Sequence, residues 1–471
     1  MKSNKSIQKW LSVLLLFTSL VSFSQKKIWD ETKAEKKERM AWWTDARFGM
    51  FIHWGLYAQP ARHEWVKSKE RMSNEDYQKY FDVFNPDLFD PTDWAKQAKA
   101  AGMKYVVITA KHHEGFNLFD SQYTDYKATN TPYGKDILEE WVSAFRAEGL
   151  KIGFYYSLFD WHHPDFTIDI KHPLRYPQHS NGPERIAANK NPKIDQYYKE
   201  VNKGRDLKKY QNYLHNQVRE ILTNYGKIDI IWLDFSYPHL PFGKGREEWD
   251  SERLIKMVRE LQPHILVNNR ADLDEYWGGW DFITPEQHIP ESWPEENGEK
   301  AYWETCATFS GSWGYYRDEI SWKTNRHLLS MLIETTSKGG NLLLNVGPTA
   351  RGTFDYRAEN ALEKIGDWMR VNSRSIYGCT QAPKSWKAPK GTMLTFNAKT
   401  NRLYIHVMDY KTNGIRLTNA FGKVKYAQFL HDASEVNFVK YWKPEHSDDI
   451  ILRTPALKPN VEIPVIELIL E

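Results

Sequence analysis

The run KIDIIWLDF (227–235) reads as buried strand through Ile228, Ile230, Ile231, Trp232 and Leu233, and it closes on a carboxylate, Asp234. A charge in that position is costly unless its neighbours compensate for it. Other apolar runs close on ionisable or polar groups in the same way: His53-Trp54-Gly55, Lys111-His112-His113-Glu114, Tyr155-Tyr156 ahead of Asp160-Trp161, Asn268-Asn269-Arg270, Glu286, Trp303-Glu304 and Asn345-Val346-Gly347-Pro348. Singly, each has an ordinary explanation. An Asp after a strand is often a helix N-cap, and a lone His is most often a hydrogen-bonded structural residue. Together they point to one shared site. Three His, several carboxylates, an Arg and many aromatics suit glycoside hydrolysis, which needs one carboxylate as nucleophile and one carboxyl as proton donor. The His and Arg would bind hydroxyls, and the aromatics would face apolar ring surfaces. A metal-dependent hydrolase using His53, His112, His113 and Asp234 is the second candidate. Adjacent His112 and His113 would point to opposite faces of an extended chain, which argues against a shared metal. Ser–His–Asp chemistry lacks a G-x-S-x-G elbow, and FSGSWG (309–314) has only a superficial similarity to one.

These groups need a frame that gathers strand ends. Strands are predicted over 47–54, 104–110, 151–157, 227–235, 264–270, 280–286, 301–306 and 341–348. Helices are predicted over 91–102, 136–149, 206–226, 251–262, 324–340 and 358–373, the first two stopped by Gly. Apolar strands alternating with helices imply a parallel sheet covered on both faces. Eight such units over roughly 330 residues predict a (β/α)8 barrel, whose reactive groups collect at the C-terminal strand ends. A doubly wound sheet is the alternative, but no G-x-G-x-x-G follows an early strand. Helices around the sixth and seventh strands are weak or absent. After Cys379 the texture changes to short strands with frequent turns, which predicts an antiparallel β-sandwich. The expected domains are a catalytic barrel over 25–378 and a sandwich over 379–471. The segment 162–205 reads as a long loop.

Of 471 residues, 41% are hydrophobic and 27% charged, enough for a sizeable core in a soluble protein. A net charge of +3 gives no reason to expect a nucleic-acid partner. The 20 Trp, 26 Tyr and 22 Phe serve mainly as core, with some free to stack on sugar rings. Lys2, Lys5 and Lys9, the apolar LSVLLLFTSLVSF and the small-x-small Ser22-Phe23-Ser24 form a secretory signal peptide over 1–24. The chain is therefore expected to be exported, periplasmic or secreted, with no membrane span. Only Cys306 and Cys379 are present, so neither a disulfide framework nor a Cys-rich zinc site is expected. No cofactor or metal is predicted.

The whole set of strand-end motifs resembles the α-L-fucosidases of glycoside hydrolase family 29. RFGMFIHWG (47–55), KYVVITAKHHEGFNLFDS (104–121), GFYYSLFDW (153–161), IIWLDF (230–235), VNNR (267–270), WDFITPE (280–286), WETC with SWGY (303–315) and GGNLLLNVGPTARG (339–352) follow in family order. The resemblance runs from about residue 40 to 375. It implies a retaining exo-α-L-fucosidase acting on fucosylated glycans. Asp234 takes the nucleophile's place and Glu286 the acid/base position, with Glu304 as runner-up and Glu64 also a candidate. His53, Glu64-Trp65, His112, His113, Tyr155 or Tyr156, Arg270 and Trp313 match sugar-binding positions. Within the class, an α-L-galactosidase is the alternative; outside it, a non-catalytic sugar-binding protein, which intact Asp234 and Glu286 argue against. The sequence leaves linkage, aglycone and oligomeric state open.

Overall fold

The computed structural model describes residues 29–177, 192–274 and 278–471. The expected signal peptide, and part of the long loop after the third strand, lie outside these residues. Helix α1 (Lys33–Ala46) starts at a Thr32–Glu35 capping box and ends where Arg47 turns left-handed, φ 60°. It feeds the first of eight strands: β1 (Phe48–Ile52), β2 (Tyr105–Lys111), β3 (Lys151–Ser157), β4 (Ile230–Asp234), β5 (Leu266–Val267), β6 (Phe282–Ile283), β7 (Tyr302–Thr308) and β8 (Asn341–Val346). They form one sheet in the order β5-β4-β3-β2-β1-β8-β7-β6, and every pairing is parallel. A parallel bridge between Asn268 and Phe282 joins the two outer strands. The predicted TIM-like core is therefore present.

Strands β5 and β6 are shorter than predicted because side chains replace the ladder at this seam. Asp281 Oδ2 accepts the Val267 N–H at 2.8 Å, and the Asp281 N–H donates to the Val267 carbonyl at 2.7 Å. Arg39 and Arg259 hold the same carboxylate at 2.7 and 3.0 Å. Among the described residues no helix lies between β5 and β7, as the weak pattern there suggested.

Phe51, Tyr105, Val107, Tyr155, Ile230, Trp232, Leu266, Phe282, Cys306 and Leu343 fill the barrel. A side chain at Gly49 would meet the Tyr105 ring, its Cβ falling 2.4 Å from that ring's nearest carbon. Outside lie α2 (Asn74–Asp82), α3 (Pro91–Ala100), α4 (Ile137–Ala147), α5 (Pro192–Val201), α6 (Leu207–Thr223), α7 (Ser251–Leu261), α8 (Asn325–Ser337) and α9 (Tyr356–Asn372). Asp90, Asp136, Asp206, Thr324 and Asp355 cap the starts of α3, α4, α6, α8 and α9 by accepting backbone N–H bonds. Helix α5 lies within the segment read as loop. Beyond α9, antiparallel strands begin at Thr380–Gln381 and build a five-stranded and a three-stranded sheet around Leu403, Ile405, Leu417, Phe429, Leu452 and Leu468. They abut the barrel through Trp368 Nε1–H to the Ile463 carbonyl, 2.9 Å, and Thr395 Oγ–H to the Ser375 carbonyl, 2.7 Å. Cys306 and Cys379 are both buried and unpaired.

Candidate active site

Alternation along β4 turns Ile230, Trp232 and Asp234 into the barrel. Asp234 ends the strand opposite Ser157 of β3 and is almost wholly buried. The Tyr155 hydroxyl donates to its Oδ2 at 2.7 Å, and Arg270 Nη1 to its Oδ1 at 2.8 Å. The other guanidinium nitrogen, Nη2, pairs with Glu286 Oε2 at 2.9 Å. One arginine thus spans both carboxylates. Thr284 Oγ accepts its Nε–H at 2.9 Å, and the Trp232 ring lies 4.5 Å below it.

The two carboxylates differ in environment. The Asp234 side chain is 10% exposed and the Glu286 side chain 43%. Burial pushes the Asp234 carboxyl above the usual aspartate range, with Arg270 opposing and Glu286 adding to it. A cavity of about 470 Å³ is lined by Asp234, Phe235, Asn269, Arg270, Thr284 and Glu286. The chain bends sharply right after each acid: Phe235 has φ 85° and Gln287 φ 59°. Strain of this kind clusters at functional sites.

Three imidazoles meet the same region. His53 Nδ1 lies 2.6 Å from Asn345 Oδ1, while Asn345 Nδ2 donates to the Trp313 carbonyl at 2.7 Å. That orientation makes His53 Nδ1 the donor and leaves Nε2 as an acceptor. Burial pushes the ring down to about 3, so it stays neutral. His113 Nδ1 lies 2.7 Å from Ser157 Oγ, and its Nε2 is 4.0 Å from Asp234 Oδ2. Burial also drives His112 and His113 well below the ordinary histidine value. The expectation that these neighbours point apart fails. Their ring centroids are 4.0 Å apart, because a register shift after Thr109 and the left-handed Gly115 (φ 85°) turn the chain out of strand geometry. Even so, no group of three His, Cys, Asp or Glu among the described residues converges to hold a metal ion.

Aromatic walls complete the site. Trp313 packs on His53 at 5.0 Å; Trp65 packs on His113 at 5.2 Å and on Phe235 at 5.6 Å. Glu64 is buried behind them. Its Oε2 accepts the N–H groups of Trp313 (3.1 Å) and Gly314 (3.0 Å), and burial pushes its carboxyl up to about 7. Glu64 therefore holds a wall of the site in place and is not a free acid.

Two sequence assignments need correction. Tyr156 turns away from the barrel interior, and its hydroxyl donates to Gln217 of α6 at 2.7 Å; of the two tyrosines, Tyr155 is in the site. Glu304 pairs in register with Asn341, at the start of β8, so it stands at the opposite end of the barrel from Asp234. It cannot serve as proton donor there. Sequence reasoning missed the support under Arg270, namely Trp232, Thr284 and Cys306, whose Sγ is 3.8 Å from Nη2. Alternation from Asp234 back to Trp232 was the one available signal.

The alpha-L-fucosidase family model matches residues 15–374. Among relatives, the alpha-L-fucosidase of Dictyostelium discoideum is 28% identical over 86% of this chain and 85% of its own. Human tissue alpha-L-fucosidase is 28% identical over 89% and 86%. Among solved structures, alpha-L-fucosidase isoenzyme 1 from Paenibacillus thiaminolyticus superposes with a TM-score of 0.82 at 44% identity, covering 93% of this chain and 99% of that one. A family 29 alpha-L-fucosidase from Bacteroides thetaiotaomicron gives 0.75 at 27% identity, covering 94% and 96%. A family 29 alpha-L-fucosidase from the same organism has also been solved as a trapped covalent intermediate with 2-fluoro-fucosyl fluoride, in a glutamate-to-glutamine mutant. With sequence and fold matching over this much of its length, the chain belongs to the alpha-L-fucosidases of glycoside hydrolase family 29.

Proposed function

We propose that this protein removes terminal α-L-fucosyl residues from glycans with net retention, through a covalent intermediate on Asp234. The observation that carries the residue assignment is Arg270, which holds Asp234 and Glu286 on adjacent nitrogens at the rim of one cavity. Asp234, buried and held by Tyr155 and Arg270, attacks C1 and expels the aglycone oxygen, which takes the Glu286 proton. Glu286 then takes a proton from water as the water attacks C1 and releases Asp234. The exposed Glu286 carboxyl is suited to exchanging protons with solvent between turnovers. Neutral His53 and His113 present Nε2 acceptors to sugar hydroxyls, and Trp65 and Trp313 offer faces to the ring. The trapped intermediate of the Bacteroides relative supports the two-step course. We also take residues 1–24 as a removed signal peptide, which puts the enzyme in the periplasm or outside the cell; among the described residues no helix is long and apolar enough to cross a membrane.

Azide rescue tests the two roles separately. Asp234→Gly should lose both steps, and azide entering the vacated face should give β-fucosyl azide. Glu286→Ala should still form the intermediate from aryl fucosides with good leaving groups, and azide should then give α-fucosyl azide. A Glu286→Ala enzyme that behaves like wild type would remove Glu286 from the mechanism.

A further inference from the structure

Glu304 has no exposed surface and lies on the floor of the barrel. Its Oε2 accepts the Tyr105 hydroxyl, which in turn accepts Asn341 Nδ2–H at 3.4 Å. Its Oε1 and the indole N–H groups of Trp43 and Trp232 have no other partner, and both indoles face the carboxyl as donors that favour its ionised form. Among the described residues no Lys, Arg or His lies within salt-bridge distance of it. Burying a carboxyl with no charged partner is costly, and an apolar side chain would fill a barrel floor at lower cost.

The upper side of Trp232 shows what the arrangement does. The Arg270 guanidinium sits 4.5 Å over that ring, and the Tyr155 ring stacks on it at 5.8 Å with a 22° tilt. Arg270 and Tyr155 are the two groups that hydrogen-bond Asp234. The contacts therefore run unbroken from the floor to the nucleophile: Glu304, the Trp232 indole, Arg270 with Tyr155, then Asp234.

Resting on the reading of Asp234 as nucleophile, we propose that Glu304 is a positioning residue for fucosyl transfer. It props the Trp232 indole from below, and the indole fixes Arg270 and Tyr155 against Asp234. Burial pushes the Glu304 carboxyl up to about 7, so a neutral amide is its natural mimic at mildly acidic pH.

The test compares Glu304→Gln, Glu304→Leu, Trp232→Phe and the Leu/Phe double variant on an aryl α-L-fucoside. Glu304→Gln should stay within about threefold of wild type, whereas Glu304→Leu should lower kcat roughly tenfold or more with little change in KM. The acid limb of kcat/KM should move to higher pH in the Leu variant, because Asp234 loses firmly held donors. The double variant should be no slower than the slower single variant, since both changes break one chain of contacts. A Leu variant with wild-type kcat and acid limb, or effects that multiply in the double variant, would overturn the proposal. If the Leu variant does not fold, Tyr105→Phe unhooks the same carboxyl at constant shape, and the same outcomes decide. Wild-type turnover in this series and the Asp234 azide product report separately on the underlying reading.

Discussion

Tyr155→Phe removes one hydroxyl and leaves the buried ring in place. That hydroxyl donates to Asp234 Oδ2 at 2.7 Å. After its loss Arg270 still holds Oδ1 at 2.8 Å, while His113 Nε2 lies 4.0 Å from Oδ2. That ring is kept neutral by burial and supplies no charge in compensation. A hydrogen bond to a charged group is worth about 1.5–3 kcal/mol, and one pKa unit corresponds to about 1.4 kcal/mol. The bond favours ionised Asp234, so losing it should raise the Asp234 pKa by about 1–2 units. The acid limb of kcat/KM should move up by that amount, and activity at mildly acidic pH should fall roughly tenfold or more. Above the limb the change should be smaller, because a carboxylate with one donor fewer is also the stronger nucleophile. The assay is kcat/KM for an aryl α-L-fucoside across pH, with single-turnover measurements to isolate the first step. A limb at its wild-type position with a lower plateau would refute the reasoning and make Tyr155 a sugar contact only.

Dialysis against a strong chelator should leave the rate on the same substrate unchanged; a large loss restored by zinc would contradict the assignment of these residues as a metal-free site. A chain ending at residue 379 should fail to stay folded, because Tyr404, Leu430, Ile463 and Val465 pack into the main barrel core; a stable, fully active truncated chain would show otherwise. Stability should also carry the signature of the buried glutamates. Glu304 holds its proton to about 7 in the folded chain against an ordinary 4.5, so the folded state binds the extra proton between those values and its contribution falls as pH rises through them. Relative to Glu304→Gln, wild type should therefore lose about 3 kcal/mol of unfolding free energy between pH 4.5 and 8; a constant difference in urea titrations would contradict this.

The barrel was legible because each strand is an apolar run and each helix carries a start or stop signal. Asp90, Asp136 and Asp206 cap predicted helices, and predicted and observed spans agree closely for β2, β3 and β8. The seam was less legible. The apolar residues around 264–270 and 280–286 suggest full strands, yet Asp281 and two arginines do the joining, through contacts between positions far apart in sequence. The site's chemistry was readable from residue types at strand ends, whereas side-chain direction was not. Tyr155 and Tyr156 differ only by the alternation of the strand, and one residue of register decides which faces Asp234. Glu304 belongs to the same β7 run as Cys306, and sequence alone does not say that it points at the floor. His112 and His113 came together because the strand ends one residue before them, a detail held in the turn at Gly115.

The most direct measurement is the site of covalent labelling. The Glu286→Gln enzyme, treated with 2-fluoro-fucosyl fluoride and digested, should yield one peptide heavier by a 2-fluoro-fucosyl group, with fragmentation placing that group on Asp234. A label on Glu64 or Glu304, or a wild-type rate in Asp234→Gly, would contradict the central claim that Asp234 forms the fucosyl-enzyme.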